Sequence, residues 1–257
     1  MSSSYHQSLV HAAIVVAALL PQALGAQSAA ALPDARSLIT KHNTATNSET
    51  LTRVNSVALK GRVSMAAMGL DAEIEILQAK PNKTAQKVIV AGVGEITSGF
   101  DGTTAWSVNP MQGPRVLEGK ELENVKSESD FLQQLRGPTH VLSAETVEKT
   151  EMGGRPCFKV KLKWKSGREG TDCYDTETGL LVATVQTTDG PMGAVETTTI
   201  LSDYKDFGGR KSPTKLVQSV MGQEQVVTIT SVEYDKVPAT AFEPPAAIKA
   251  MQKPSQP

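Results

Sequence analysis

The chain has 257 residues, 39% of them hydrophobic, which is enough to build a core in one large domain or two small ones. Its 26 basic and 27 acidic residues leave a net charge of -1, so no overall field recruits nucleic acid or anionic headgroups. Aromatic residues make up only 4%, Thr and Val are plentiful, and few long stretches have helical periodicity, so sheet should dominate.

Residues 9–20 form a mostly apolar run closed by Pro21, shorter than the roughly 20 residues a bilayer span needs. The run reads as the core of a signal peptide, and the small residues Ala23, Gly25 and Ala26 suit cleavage, giving boundaries of 1–26 for the signal and 27–248 for one mature domain. The basic n-region is missing, with only His6 and His11 there. No Cys follows the cleavage site to carry a lipid, so the expectation is a soluble, exported, unanchored protein.

Pro33-Asp34 opens a short helix ending near His42, with Ala35, Leu38 and Ile39 on one face. Val57, Leu59, Val63 and Met65 then alternate with polar residues, as do Leu70, Ala72, Ile74 and Ile76, which predicts two half-buried strands joined at Met68-Gly69. Residues 83–90 form a third strand. Asp101-Gly102, flanked by β-formers from Ile96 to Val108, marks a hairpin whose turn needs positive φ. Met111-Gln112-Gly113-Pro114 is expected to break the sheet. Leu117, Leu122, Val125, Phe131, Leu132 and Leu135, set among charges, predict one or two amphipathic helices lying across it. Strands return from Thr146 to Tyr234, punctuated by Gly and Asp-Gly turns, for about a dozen in all. Short connections imply antiparallel neighbours, and residues 249–257 read as a disordered tail.

The only two cysteines are Cys157 and Cys173. A turn centred on Ser166-Gly167 would set Cys173 opposite Val160, on the face away from Cys157, so a disulfide needs a bulge or a shifted register. If formed, such a bridge contributes about 3 kcal/mol.

Nothing in the chain argues for an enzyme or a cofactor. Outside the signal only His42 and His140 occur, too few for a histidine metal site or triad, and both are expected at the surface. There is no G-x-S-x-G. Gly92-Val93-Gly94 lacks the third glycine of a dinucleotide loop and reads as a turn, and Asp71, Glu73 and Glu75 read as a solvated strand face. Asn82-Lys83-Thr84 matches a glycosylation sequon by chance.

Asp101, Gly102, Trp106, Asn109 and Pro110 reproduce a D-G-x-x-x-W-x-x-N-P pattern that resembles the outer-membrane lipoprotein carrier (LolA) family. Lys80-Pro81-Asn82 and the close at Phe242, Pro244 and Pro245 resemble the same family. The resemblance implies a strongly curved antiparallel sheet, an incomplete β-barrel with helices over its concave side. The cavity between them takes acyl chains. On that reading Met65, Met68, Leu70, Ile74, Ile76, Phe100, Trp106, Met111 and Leu117 line the cavity, and Phe131, Leu132 and Leu135 belong to the lid. Plain core is the competing explanation for each. Lys80 stands where the family has a lid-contacting Arg and cannot make the same planar bidentate contact.

The resemblance implies a monomeric periplasmic binding protein with lipoprotein or lipid acyl chains as ligand. An inner-membrane transporter or an outer-membrane acceptor would be its partner. A sensor or structural envelope protein using the same fold for protein contacts is the alternative.

Overall fold

The computed structural model describes residues 31–132, 135–137, 140–165, 167–190 and 193–252. The expected signal peptide and the last five residues of the expected tail lie outside them. The residues from Leu32 onward belong to one compact unit.

Asp34 caps the first helix, α1 (Ala35–Thr46), its Oδ2 accepting from the Ser37 amide at 2.8 Å. The helix runs one turn beyond His42 because Asn47 adopts the left-handed conformation that ends it, at φ 52. A 3-10 turn (Ser48–Arg53) leads into β1 (Ser56–Met65) and β2 (Leu70–Ala79). Then come β3 (Lys83–Val90), β4 (Gly94–Phe100), β5 (Ala105–Asn109) and β6 (Gly113–Leu117). Here Met111-Gln112 turns a hairpin instead of ending the sheet. Asn109 Oδ1 accepts from the Met111 amide at 2.9 Å, and Gly113 supplies φ +78, so pairing continues into β6.

Among the described residues, helix α2 (Gly119–Glu128) is the single helix in the region where one or two were expected, and a crossover segment that includes residues 129–132 and 135–137 follows it. The second meander is β7 (Val141–Met152), β8 (Arg155–Trp164), β9 (Glu169–Asp175), β10 (Leu181–Gly190), β11 (Gly193–Phe207), β12 (Arg210–Val220) and β13 (Gln223–Tyr234). Helix α3 (Ala246–Met251) closes the described chain, so Lys249 to Met251 of the expected tail are helical.

The thirteen strands among the described residues form one antiparallel sheet in the order β6-β5-β4-β3-β2-β1-β13-β12-β11-β10-β9-β8-β7. The two meanders meet where β1 pairs with β13, Val57 opposite Tyr234 and Leu59 opposite Val232. The α+β class stands, but the expected strongly curved, barrel-like sheet does not. The order is linear, and β6 and β7 are its two edges, with no ladder between them among the described residues. A barrel needs its edge strands to meet and share hydrogen bonds. Here the joining is done in the middle of the sheet, so the edges stay apart.

One face carries the covering elements. Ala35, Leu38 and Ile39 of α1 pack on Val141, Val160, Leu162, Trp164, Tyr174 and Leu181 of β7 to β10. Phe131 and Leu135 of the crossover pack with Leu51 and Val57 at the centre, while Leu122 and Val125 of α2 rest on Phe100, Ala105 and Leu117 near the β6 edge. The crossover therefore travels from one edge of the sheet to the other over the face it covers.

The opposite face holds a disulfide and an ionic ladder. Lys60 and Lys87 both reach Glu75, at 3.4 and 3.8 Å. Cys157 and Cys173 are bonded, with Cα atoms 5.6 Å apart. The β8–β9 register explains why. The Trp164 amide donates to Arg168 O at 2.8 Å and Lys163 opposes Glu169, which shifts the pairing by one position from that of a turn centred on Ser166-Gly167. Cys173 thus opposes Lys159 and Cys157 opposes Asp175, which places both sulfurs diagonally on one face.

Candidate ligand-binding groove

Between the covered face and the elements above it lies a groove of about 570 Å³. Its floor comes from six adjacent strands, β2, β1, β13, β12, β11 and β10, and its cover from α1 and the crossover. Alternation along each strand decides what reaches it. Val57, Leu59, Ile76, Ile229 and Val232 make one part of the floor apolar, and Thr184, Gln186, Thr197, Thr199 and Gln218 make the part toward β10 polar. The groove is amphipathic, greasy under the centre of the sheet and hydrogen-bonding toward one side.

A buried polar cluster fixes the cover. Arg136, from the crossover, pairs with Asp172 of β9 through Nε, and its Nη2 lies 3.4 Å from Asp172 Oδ1. The Tyr174 hydroxyl donates to Asp172 Oδ2 at 2.9 Å. Asp172 is 1% exposed, so its charge depends on these donors. Burial alone would depress the Arg136 pKa, but the adjoining Asp172 carboxylate outweighs it and holds the guanidinium protonated. Burial, reinforced by the same carboxylate, pushes the Tyr174 phenol well up. The Tyr204 phenol is also raised, chiefly by burial, and donates to Leu181 O at 2.8 Å.

His42, expected at the surface, is buried on the inner face of α1, 5.5 Å from the Tyr174 ring. Extending α1 past His42 keeps that side chain in register with Leu38 and Ile39, which turns it inward. Burial first, and then the Arg136 charge, lower its pKa to about 4, so it is neutral at pH 7. Its Nδ1 has no hydrogen-bond partner among the described residues.

The residues singled out from the sequence are spread over several places. Ile76 and Leu135 line the groove, and Phe131 packs beside Leu135, with Leu132 against the same cluster. Met65, Leu70 and Ile74 share the sheet face of Ile76, farther along β1 and β2. Phe100 and Leu117 lie under α2 on that face. Trp106 points the other way, because its partner across the ladder is Gly99 and not Phe100. It packs over Gly99 on the opposite face, beside Leu77, Ala85 and the Ala241 to Pro245 segment. Met68 and Met111 sit on hairpin tips, 64% and 85% exposed, where they line no part of the groove. Lys80 does touch the crossover, donating to Thr52 O at 2.6 Å with its Nζ 5.9 Å above the Phe131 ring.

The motif residues are turn-builders. Asp101 Oδ1 accepts from the Thr103 and Thr104 amides at 2.8 and 2.7 Å, and Gly102 supplies φ +104. Phe242 is buried, and Pro244 and Pro245 lead into α3.

Sequence reasoning missed Arg136, Asp172, Tyr174 and Arg210. Only the observed register, Val160 opposite Asp172, turns Asp172 and Tyr174 inward; the sequence reading, with Cys173 opposite Val160, faced them outward and so gave no signal for a cation. Among the described residues no group of three or more His, Cys, Asp or Glu is placed to hold a metal, and no helix is long and apolar enough to cross a membrane.

The architecture is that of an α+β protein with a helix and a crossover laid over one face of a large antiparallel sheet. Solved structures share it at low identity. A DUF1329 family protein from Desulfovibrio piger matches with TM-score 0.55 and 10% identity over 82% of this chain and 98% of that one. A LolA superfamily protein from Nitrosomonas europaea matches with TM-score 0.52 and 11% identity over 83% and 99%. At such identities these matches establish a common fold. No family model and no curated protein matches the chain.

Proposed function

We propose that the protein is a non-catalytic periplasmic binding protein that shelters a hydrophobic ligand, the acyl chains of a lipoprotein or lipid, in the groove beneath α1 and the crossover. The observation that carries this reading is the groove itself, about 570 Å³ with an apolar floor at its centre, under a cover held by a few side chains. The fold shared with a LolA superfamily protein supports it. Each methylene withdrawn from water contributes about 0.8 kcal/mol, so an acyl chain of ordinary length needs such a shelter to cross an aqueous compartment. Lipoprotein sorting toward an outer membrane is the role we assign, with an inner-membrane donor and an outer-membrane acceptor as partners.

The test is mass spectrometry of the purified full chain after solvent extraction. The wild type carries acyl lipid. Val232→Arg, which sets a charge on the apolar floor, retains at most about a tenth as much. A wild type that carries none and takes up no fluorescent fatty acid refutes the reading.

A further inference from the structure

Arg210, the first residue of β12, lies in the groove wall and is 9% exposed. Its guanidinium carbon stands 5.2 Å from the centroid of the Tyr234 ring, and its Nε has no hydrogen-bond partner. No carboxylate among the described residues forms an ion pair with it, in contrast to Arg136, which is matched by Asp172 in the same groove. A guanidinium taken out of water without a counter-charge is costly, and one aimed into a ligand groove is a ready acceptor for an anion. Tyr234 contributes an aromatic face that holds the fork in place without neutralising it.

We propose that Arg210 is the headgroup subsite of the groove, pairing with the phosphate or carboxylate of an anionic amphiphile whose chain lies on Val57, Leu59, Ile76 and Val232. This rests on the reading of the groove as a ligand site. The shared chemistry is an oxyanion on an apolar tail, matched by the groove's division into polar and apolar floor.

Binding of dodecyl phosphate, dodecanoate, dodecanol and inorganic phosphate to the full chain is measured by calorimetry, for the wild type and Arg210→Met. The wild type binds both anionic amphiphiles at least about tenfold tighter than dodecanol, the worth of one charge-assisted hydrogen bond. In Arg210→Met that ratio falls to within about twofold. The ligand-free variant also melts higher than the wild type, because a desolvated charge has been removed while Met keeps the packing of the stem. An equal affinity of the wild type for anion and alcohol overturns the proposal and leaves the groove reading intact, as does a variant that keeps the preference. A variant that is destabilised or unfolded shows the charge to be compensated within the protein, which also overturns it. Inorganic phosphate binding as tightly as dodecyl phosphate identifies a free-anion site and removes the amphiphile. If neither dodecanol nor the anionic amphiphiles bind, the groove reading itself fails, and this subsite with it.

Discussion

His42 shows how one buried side chain makes the stability of the fold depend on pH. Its pKa of about 4 in the folded protein lies below the ordinary 6.5, so between these values the unfolded chain binds the extra proton. Stability due to the neutral imidazole is therefore complete above pH 6.5 and is lost as the pH falls toward 4. The loss amounts to about 2 kcal/mol by pH 5. Urea unfolding at pH 7 and pH 5 is expected to show this difference in the wild type and to show it reduced by about that amount in His42→Gln. Arg136 and Asp172 face the same ring and act in opposite directions on it, Arg136 the more strongly. The imidazole was legible in the sequence only as a histidine near a helix end. Its burial follows from one further turn of α1, set by the left-handed Asn47.

Pairs of strands decide which way residues face, and two cases here turn on a single position of register. The β8–β9 register, with Cys173 opposite Lys159, brings Cys157 and Cys173 to one face, where a shift of one position would have parted them. In the β4–β5 hairpin, Gly99 opposite Trp106 leaves room for the indole to pack over the backbone. A Cβ at Gly99 would stand 2.4 Å from Trp106 Cζ2 and 2.9 Å from Thr84 O. Gly99→Ala is accordingly expected to cost about 1–3 kcal/mol and to alter the Trp106 fluorescence, while leaving the groove on the other face unchanged. Equilibrium unfolding followed by tryptophan emission measures both. The motif around Asp101 was legible because turn chemistry is local. The direction of Trp106 depended on which residue the ladder set across from it.

Across the whole molecule, the crossover is what turns an open sheet into a sheltering one. It leaves β6 at one edge, passes α2, Phe131, Leu135 and Arg136 over the covered face, and enters β7 at the other edge. Phe131 anchors its middle, 1% exposed, with its amide donating to Pro81 O at 3.2 Å. Phe131→Ala is expected to destabilise the protein by about 3–5 kcal/mol. It should also raise the dissociation rate of a bound fluorescent fatty acid, as measured by stopped flow. An unchanged rate in a folded variant would show that the crossover does not cover the groove.

Strand alternation, helix caps and glycine turns act over a few residues, so the amino-acid sequence by itself determined the α+β class, the positions of most strands, the start of α1, a helix after Leu117 and the tight turn at Asp101-Gly102. It did not determine how far β5 continued past Asn109 into a further hairpin, nor that the sheet would remain open. Those outcomes come from pairing between segments remote in the chain, β1 with β13 above all, whose register no local pattern encodes. The same holds for the groove. Arg136 met its carboxylate and Arg210 met none because of where a crossover and six strands came to lie, and only the tertiary structure could set one charge beside its partner and leave the other facing a cavity.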